Sequence, residues 1–151
     1  MQASSDNMQV RYCALSLGIL FLLLGLAGFV PAFVAPPADV SFASGYGNLF
    51  GIFPTNYFHN AIGVLVGLWG IAAFTSLGGS ITFNQIFAFV YAAHAILGII
   101  PFTNTFFGIA PLFGNNVWFN AILAGIAYYY GFVKPTVLDR VGVSANAQKA
   151  A

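Results

Sequence analysis

Hydrophobic positions along this chain come in four long blocks without a helical or strand-like stripe, and polar positions gather between them. The blocks run from Tyr12 to Phe33, Tyr57 to Leu77, Ile81 to Ile100 and Val117 to Val133, and none contains an acidic residue, a lysine or an arginine. A helix that is apolar on every side is buried or faces lipid, and about 20 residues cross the hydrocarbon layer of a bilayer. Backbone at that depth must satisfy its own amides, so each block is expected to be an α-helix. The expected fold class is all-α, an integral membrane four-helix bundle. Polar segments 1–11 and 134–151 flank a transmembrane domain of residues 12–133, with helices at 12–33, 57–77, 81–100 and 117–133. The first block is longer than the roughly 7–15 residues of a signal-peptide core and no A-x-A site follows it, so it is read as a retained helix.

Composition strengthens the membrane reading. The chain has 151 residues, 60% hydrophobic and 5% charged, where a soluble domain carries roughly 25% charged residues. Between Tyr12 and Val133 the only formally charged side chain is Asp39, and one aspartate cannot make a water-soluble surface. A net charge of +1 without a basic cluster excludes nucleic acid as a partner. Cys13 has no second cysteine to pair with, and one Cys with two His cannot supply a closed four-ligand shell, so no metal site is expected. The basic residues Arg11, Lys134, Arg140 and Lys149 all flank the blocks. The positive-inside rule then predicts cytoplasmic N and C termini, which requires an even number of crossings.

The chain also repeats itself. Gly28-Phe29-Val30-Pro31 and Gly98-Ile99-Ile100-Pro101 end the first and third blocks with one G-x-x-P stop. Asn56 to Ile62 and Asn116 to Ile122 share N-x-x-x-N-A-I, and the loops before them share Gly51-Ile52-Phe53-Pro54 and Gly108-Ile109-Ala110-Pro111. This predicts two tandem helical hairpins in parallel orientation. Asn56 and Asn116 are expected N-caps. Thr82 with Gln85 reads as a capping box that opens the third helix after a tight Leu77-Gly78-Gly79-Ser80 turn. Small residues should set helix contacts in lipid: Gly63 and Gly67, Ala88 and Ala92, Ala121 and Gly125, with Gly18 and Gly25 on the first helix.

The chemistry-bearing residues are few. His59 should lie about one turn into the second helix and His94 about two turns before the end of the third, with Asn60 and Asn120 in the same outer layer. Three readings compete for this layer: interhelical hydrogen-bond glue, ligation of haem or a chlorophyll-like pigment by one imidazole, and a pocket for a quinone-like ligand or a proton step. A hydrolase triad would need Ser41 or Ser44 with His59 and Asp39, without a nucleophile elbow, so no catalytic residues are expected.

Phe53-Pro54-Thr55-Asn56-Tyr57-Phe58-His59-Asn60, followed by Gly67-Leu68-Trp69-Gly70, resembles the domain-of-unknown-function family 4383, small four-helix bacterial and cyanobacterial membrane proteins. Val10 to Leu15, Gly28 to Pro31 and Asn116-x-Trp118 resemble it too, so the similarity spans most of residues 10–133. The resemblance implies the four-helix membrane domain, and a place in a plasma or thylakoid membrane beside a photosynthetic complex; it brings no activity. Two positions depart from the family pattern: Gly63 and Asn120 stand where histidines often occur. The expected function is a non-catalytic accessory or structural subunit, in contact with the lipid bilayer and with a membrane-protein partner or a second copy. No cofactor is expected under that reading. The alternative is a pigment, haem or quinone binding protein that uses His59 or His94.

Overall fold

The computed structural model describes residues 2–36 and 45–135. Asp39, Ser41, Ser44, Arg140 and Lys149, each of which entered the sequence argument, lie outside these residues. Four helices account for most of what is described: α1 (Gln2–Ala27), α2 (Tyr57–Ala73), α3 (Leu77–Ile99) and α4 (Asn115–Tyr128). A π-helical turn, Tyr129–Val133, prolongs α4. By length and composition α1 from Asp6 onward and α3 are long and apolar enough to cross a membrane; α2 and α4 are shorter.

α1 packs chiefly along α2, and α3 along α4. The two units are built alike. From Arg11 to Val30 and from Ile81 to Ile100 the order of buried, half-buried and exposed positions differs at only one step. The same spacing of apolar and small residues, seventy positions apart, therefore serves the same purpose twice.

Close approach defines the first hairpin. A Cβ on Gly18 would lie 2.6 Å from the Ile71 backbone nitrogen, one on Gly25 2.6 Å from that of Val64, and one on Gly70 2.7 Å from the Gly18 Cα. Gly67 meets the Leu22 backbone and Gly63 faces Gly25. Backbone cannot move aside, so α1 and α2 touch only because these positions lack side chains. The hairpins join through aromatic rings instead: Phe21 of α1 stands edge-on to Phe87 at 5.2 Å and Tyr91 at 4.8 Å, and those two stack at 4.0 Å. Phe83 is fully buried beside Trp69.

Polar side chains join the helices away from the rings. The Asn84 amide donates to the Val10 carbonyl at 3.2 Å, while its oxygen is buried without a partner among the described residues. Gln85 donates to the Gly131 carbonyl, which the π-helical turn presents, at 3.0 Å.

Several sequence expectations are corrected. The third helix opens at Leu77, not after a glycine turn: Ser76 is extended and its hydroxyl accepts from the Gly79 amide at 3.0 Å. Thr82 therefore stands inside α3, exposed, and caps nothing. α4 starts at Asn115 with Gly114 as its N-cap at φ 66°, so Asn116 is not the cap. Ala121 and Gly125 are exposed, and a Cβ on Gly125 would meet nothing within 4 Å. α4 buries Val117, Asn120, Leu123, Ala124 and Ala127 instead. Ala88 is buried and Ala92 half-buried.

Strands were not expected. Among the described residues three short ones, β1 (Val34–Ala35), β2 (Gly47–Leu49) and β3 (Phe53–Thr55), form an antiparallel sheet in that order, with Val34 against Leu49 and Leu49 against Phe53. The β2–β3 turn takes Phe50 and Gly51 to φ 52° and 70°, the left-handed pair that suits a tight hairpin. Val34 and Leu49 are buried, so the sheet closes one end of the helices. At the other end Lys134 donates to Asp6 at 2.8 Å and joins the start of α1 to the end of the fourth helix.

Two predictions follow from this packing. Gly18→Ala should destabilise the protein by about 1–3 kcal/mol through overpacking, whereas Gly125→Ala should leave it unchanged or up to about 1 kcal/mol more stable through helix propensity. Denaturant unfolding in detergent checks the pair, and equal effects would disprove the assignment of faces. The hydrogen bond to Asp6, and then its charge, hold the Lys134 ammonium above the ordinary lysine range. A raised folded-state pKa contributes stability below the unfolded value and loses it as pH rises through the folded one. The stability difference between wild type and Lys134→Gln should therefore be constant through the neutral range and vanish only above about pH 10.4, the ordinary lysine value.

Candidate functional site

The polar cluster at the sheet end starts from β3. After Thr55 the chain is extended at Asn56, whose side-chain oxygen accepts from the His59 amide at 2.8 Å and starts α2. This cap places His59 and Asn60 in the first turn. Asn60 is 3% exposed; its amide donates to the Gly28 carbonyl at 2.7 Å and its oxygen accepts from the Thr55 hydroxyl. Any side chain on Gly28 would overlap the Asn60 amide, so the glycine in the G-x-x-P stop makes room for this clasp.

The repeated motifs tie the hairpins to one another. Asn56 donates to the Ile109 carbonyl at 2.8 Å and Asn115 donates to the Ile52 carbonyl at 3.1 Å. Each hairpin thus sends an asparagine to the matching isoleucine of the other's G-I-x-P loop. Asn116 donates to the Pro54 carbonyl at 2.7 Å and to the Pro111 carbonyl at 3.0 Å, which fixes both loops to α4. The N-x-x-x-N-A-I repeat has a structural meaning beyond capping: it supplies donors to loop carbonyls that would otherwise be orphaned.

Inside this framework lies a cavity of about 50 Å³, walled by Phe21, Phe53, Phe119 and Gly63 and by the polar residues Thr55, His59, Asn60, Asn116 and Asn120. The His59 ring has a backbone hydrogen-bond interaction with Pro54, and its Nδ1 is buried without a geometrically good hydrogen-bond partner among the described residues. Asn120 is 4% exposed, and its side chain makes no hydrogen bond among the described residues. The structure thus brings His59, Asn60 and Asn120 together. His94 is within electrostatic range of His59 but does not line the cavity; its ring stands edge-on to Tyr91 at 5.2 Å and Phe106 at 6.3 Å.

The cluster consists of neutral donors and acceptors, with no carboxylate among the cavity's lining residues. Among the described residues no group of three His, Cys, Asp or Glu is placed to hold a metal. The cavity is about a third of the ~150 Å³ that accommodates benzene, so it takes water-sized guests and not a ring. Sequence reasoning missed Thr55 and Asn115 and read Gly28 only as part of a helix stop, although the repeated loop motifs carried the signal. It also missed Asn84, a polar residue at the fourth position of the third block.

A mostly helical protein with two helices fit to cross a membrane, and a cluster of neutral amides under a small sheet, is the class these features define. The family model described as domain of unknown function (DUF4383) matches residues 11–133, and the chain belongs to that family. No curated protein and no solved structure matches it.

Asn60→Ala removes a buried donor from a helix-end carbonyl and should cost about 1–3 kcal/mol, with Asn120→Ala costing clearly less. Unfolding midpoints of the two purified variants check this. Equal losses would mean that the two asparagines do the same job.

Proposed function

We propose that the protein is a non-catalytic integral membrane subunit: four helices that cross the bilayer, both termini cytoplasmic, docked on a larger membrane complex. The membrane is the plasma membrane or, in a photosynthetic cell, the thylakoid. Four charge-free apolar blocks and the basic flanks support the topology. The observation that carries the docking is a groove of about 450 Å³ on the outer face of α3 and α4.

Its floor is Ala88, Ala92, Ala121, Ala124 and Gly125, and its walls include Phe89, Ile96 and Trp118. In the first hairpin the residues matching Ala92, Ala124 and Gly125 are Leu22, Val64 and Leu65. The second hairpin has therefore lost three branched side chains from one strip of surface. In lipid, small residues let helix backbones approach, and a groove that exposes Ala121 and Gly125 above the buried Ala88 and Ala124 suits a transmembrane helix of a partner.

The test is mild solubilisation from the native membrane, sizing under non-denaturing conditions and identification of stoichiometric co-migrating polypeptides. A Cβ on Gly125 would meet nothing within 4 Å, so Gly125→Leu puts a branched side chain into the groove and should release the partner and leave the fold intact. A wild-type protein that migrates only as a lone monomer would sink the proposal.

A further inference from the structure

The internal repeat shows which polar group in the sheet-end cavity has no structural employment. Asn60 and Asn120 are matching residues, as are Gly28 and Gly98. Asn60 donates to the Gly28 carbonyl, and symmetry would have Asn120 donate to Gly98. Gly98 is instead packed against the Leu112 carbonyl and the Val117 side chain, 2.9 Å from where its Cβ would be. Asn120 is left in the cavity wall, which it shares with His59, whose repeat mate is Phe119. One hairpin thus keeps its clasp, while the other contributes an unpaired amide that shares a cavity with an unpaired ring nitrogen.

Such groups are costly when buried dry: an unsatisfied donor or acceptor forfeits about 1–3 kcal/mol. A cavity of about 50 Å³ has room for about three water molecules at roughly 15 Å³ each. Water is retained in a cavity when it finds two to four polar partners, whereas purely apolar cavities stay dry. His59 Nδ1 and the Asn120 amide supply the first partners, and the hydroxyl of Thr55 lies in the same wall. We infer that the cavity is a built hydration site, in which water bridges His59 Nδ1 to the Asn120 side chain and joins the two hairpins. This goes beyond the docking role and is independent of it, because the groove and the cavity share no residue.

The test uses the full chain, labelled with ¹³C and ¹⁵N, in lipid bilayers, with solid-state spectra edited for magnetisation that originates on water or on acyl-chain protons. The expected result is rapid transfer from water to the His59 ring and the Asn120 side-chain amide, and none to the Phe87 and Tyr91 rings of the closed core. A wild-type protein in which neither His59 nor Asn120 receives water magnetisation overturns the inference, as does transfer to them from acyl chains alone. In folded Asn120→Leu the transfer to His59 should be lost; its full retention would refute the bridge. The wild-type measurement decides the matter alone if that variant does not fold.

Discussion

A chain with so few charges has to satisfy most of its backbone carbonyls between segments with neutral side chains, Arg11 on Phe74 and Thr75 being a charged exception, and the rest of this structure depends on how it does so. Donors that cross between segments are mostly side-chain amides, and each ends on a backbone carbonyl: Asn60 on Gly28, Asn56 on Ile109, Asn115 on Ile52, Asn116 on Pro54, Asn84 on Val10 and Gln85 on Gly131. An orphaned carbonyl away from water costs as much as a lost hydrogen bond, while a buried charge would cost far more. Carboxamides satisfy the carbonyls without that desolvation penalty. Because each tie joins a defined helix turn to a defined carbonyl, the ties set how far each helix slides along its neighbour. Once Asn60 fixes α2 against the end of α1, the glycines of both helices meet face to face. The aromatic contact of Phe21 with α3 then follows.

The two hairpins solve the contact problem differently at each seam. Within the first, glycines bring backbone onto backbone, so dispersion contacts form over a long strip. Between hairpins the gap is filled by Phe21, Phe83, Phe87 and Tyr91, whose edge-on and stacked rings bury large areas. A glycine seam tolerates no added atom. A ring seam tolerates adjustment, which allows two alike units to join without perfect symmetry.

Much of the helical plan was legible because blocks with no acidic residue, lysine or arginine leave few alternatives, and the polar residues His59, Asn60 and Asn120 stood out against them. Helix ends were less legible. Ser76 and Thr82 both precede plausible first turns, and only the extended backbone at Ser76 decides between them; Gly78 and Gly79, which suggest a turn, are helical. Rotation was not legible at all. Gly63 and Gly67 share the i,i+4 spacing of Ala121 and Gly125, yet the first pair is buried and the second exposed. An all-apolar helix has no polar face to reveal which side turns inward. The same blindness placed His94 with His59 by depth, whereas the cavity takes only His59. The sheet escaped notice because strands of two or three residues are too short to show an alternating pattern.

The repeat acts as an internal control on what each residue is for. Where paired positions have the same structural duty the residues match in kind, as Pro31 with Pro101 in the stops, or Phe21 with Tyr91 in the ring seam. Where the pairs diverge the duty has changed, as His59 against Phe119, Leu22 against Ala92 and Leu65 against Gly125, and one matching pair also changes duty, Asn60 being clasped while Asn120 makes no side-chain hydrogen bond among the described residues. Pairs such as Cys13 with Phe83 and Gly63 with Leu123 diverge within the core, where they serve packing; those named above fall in the sheet-end cavity and on the outer face of α3 and α4. A fold that required only its own stability could have repeated the clasp and the leucines, since the first hairpin already demonstrates both. The second hairpin instead leaves an amide unpaired in a cavity and a strip of surface unfilled, and both make physical sense when something outside the chain occupies them.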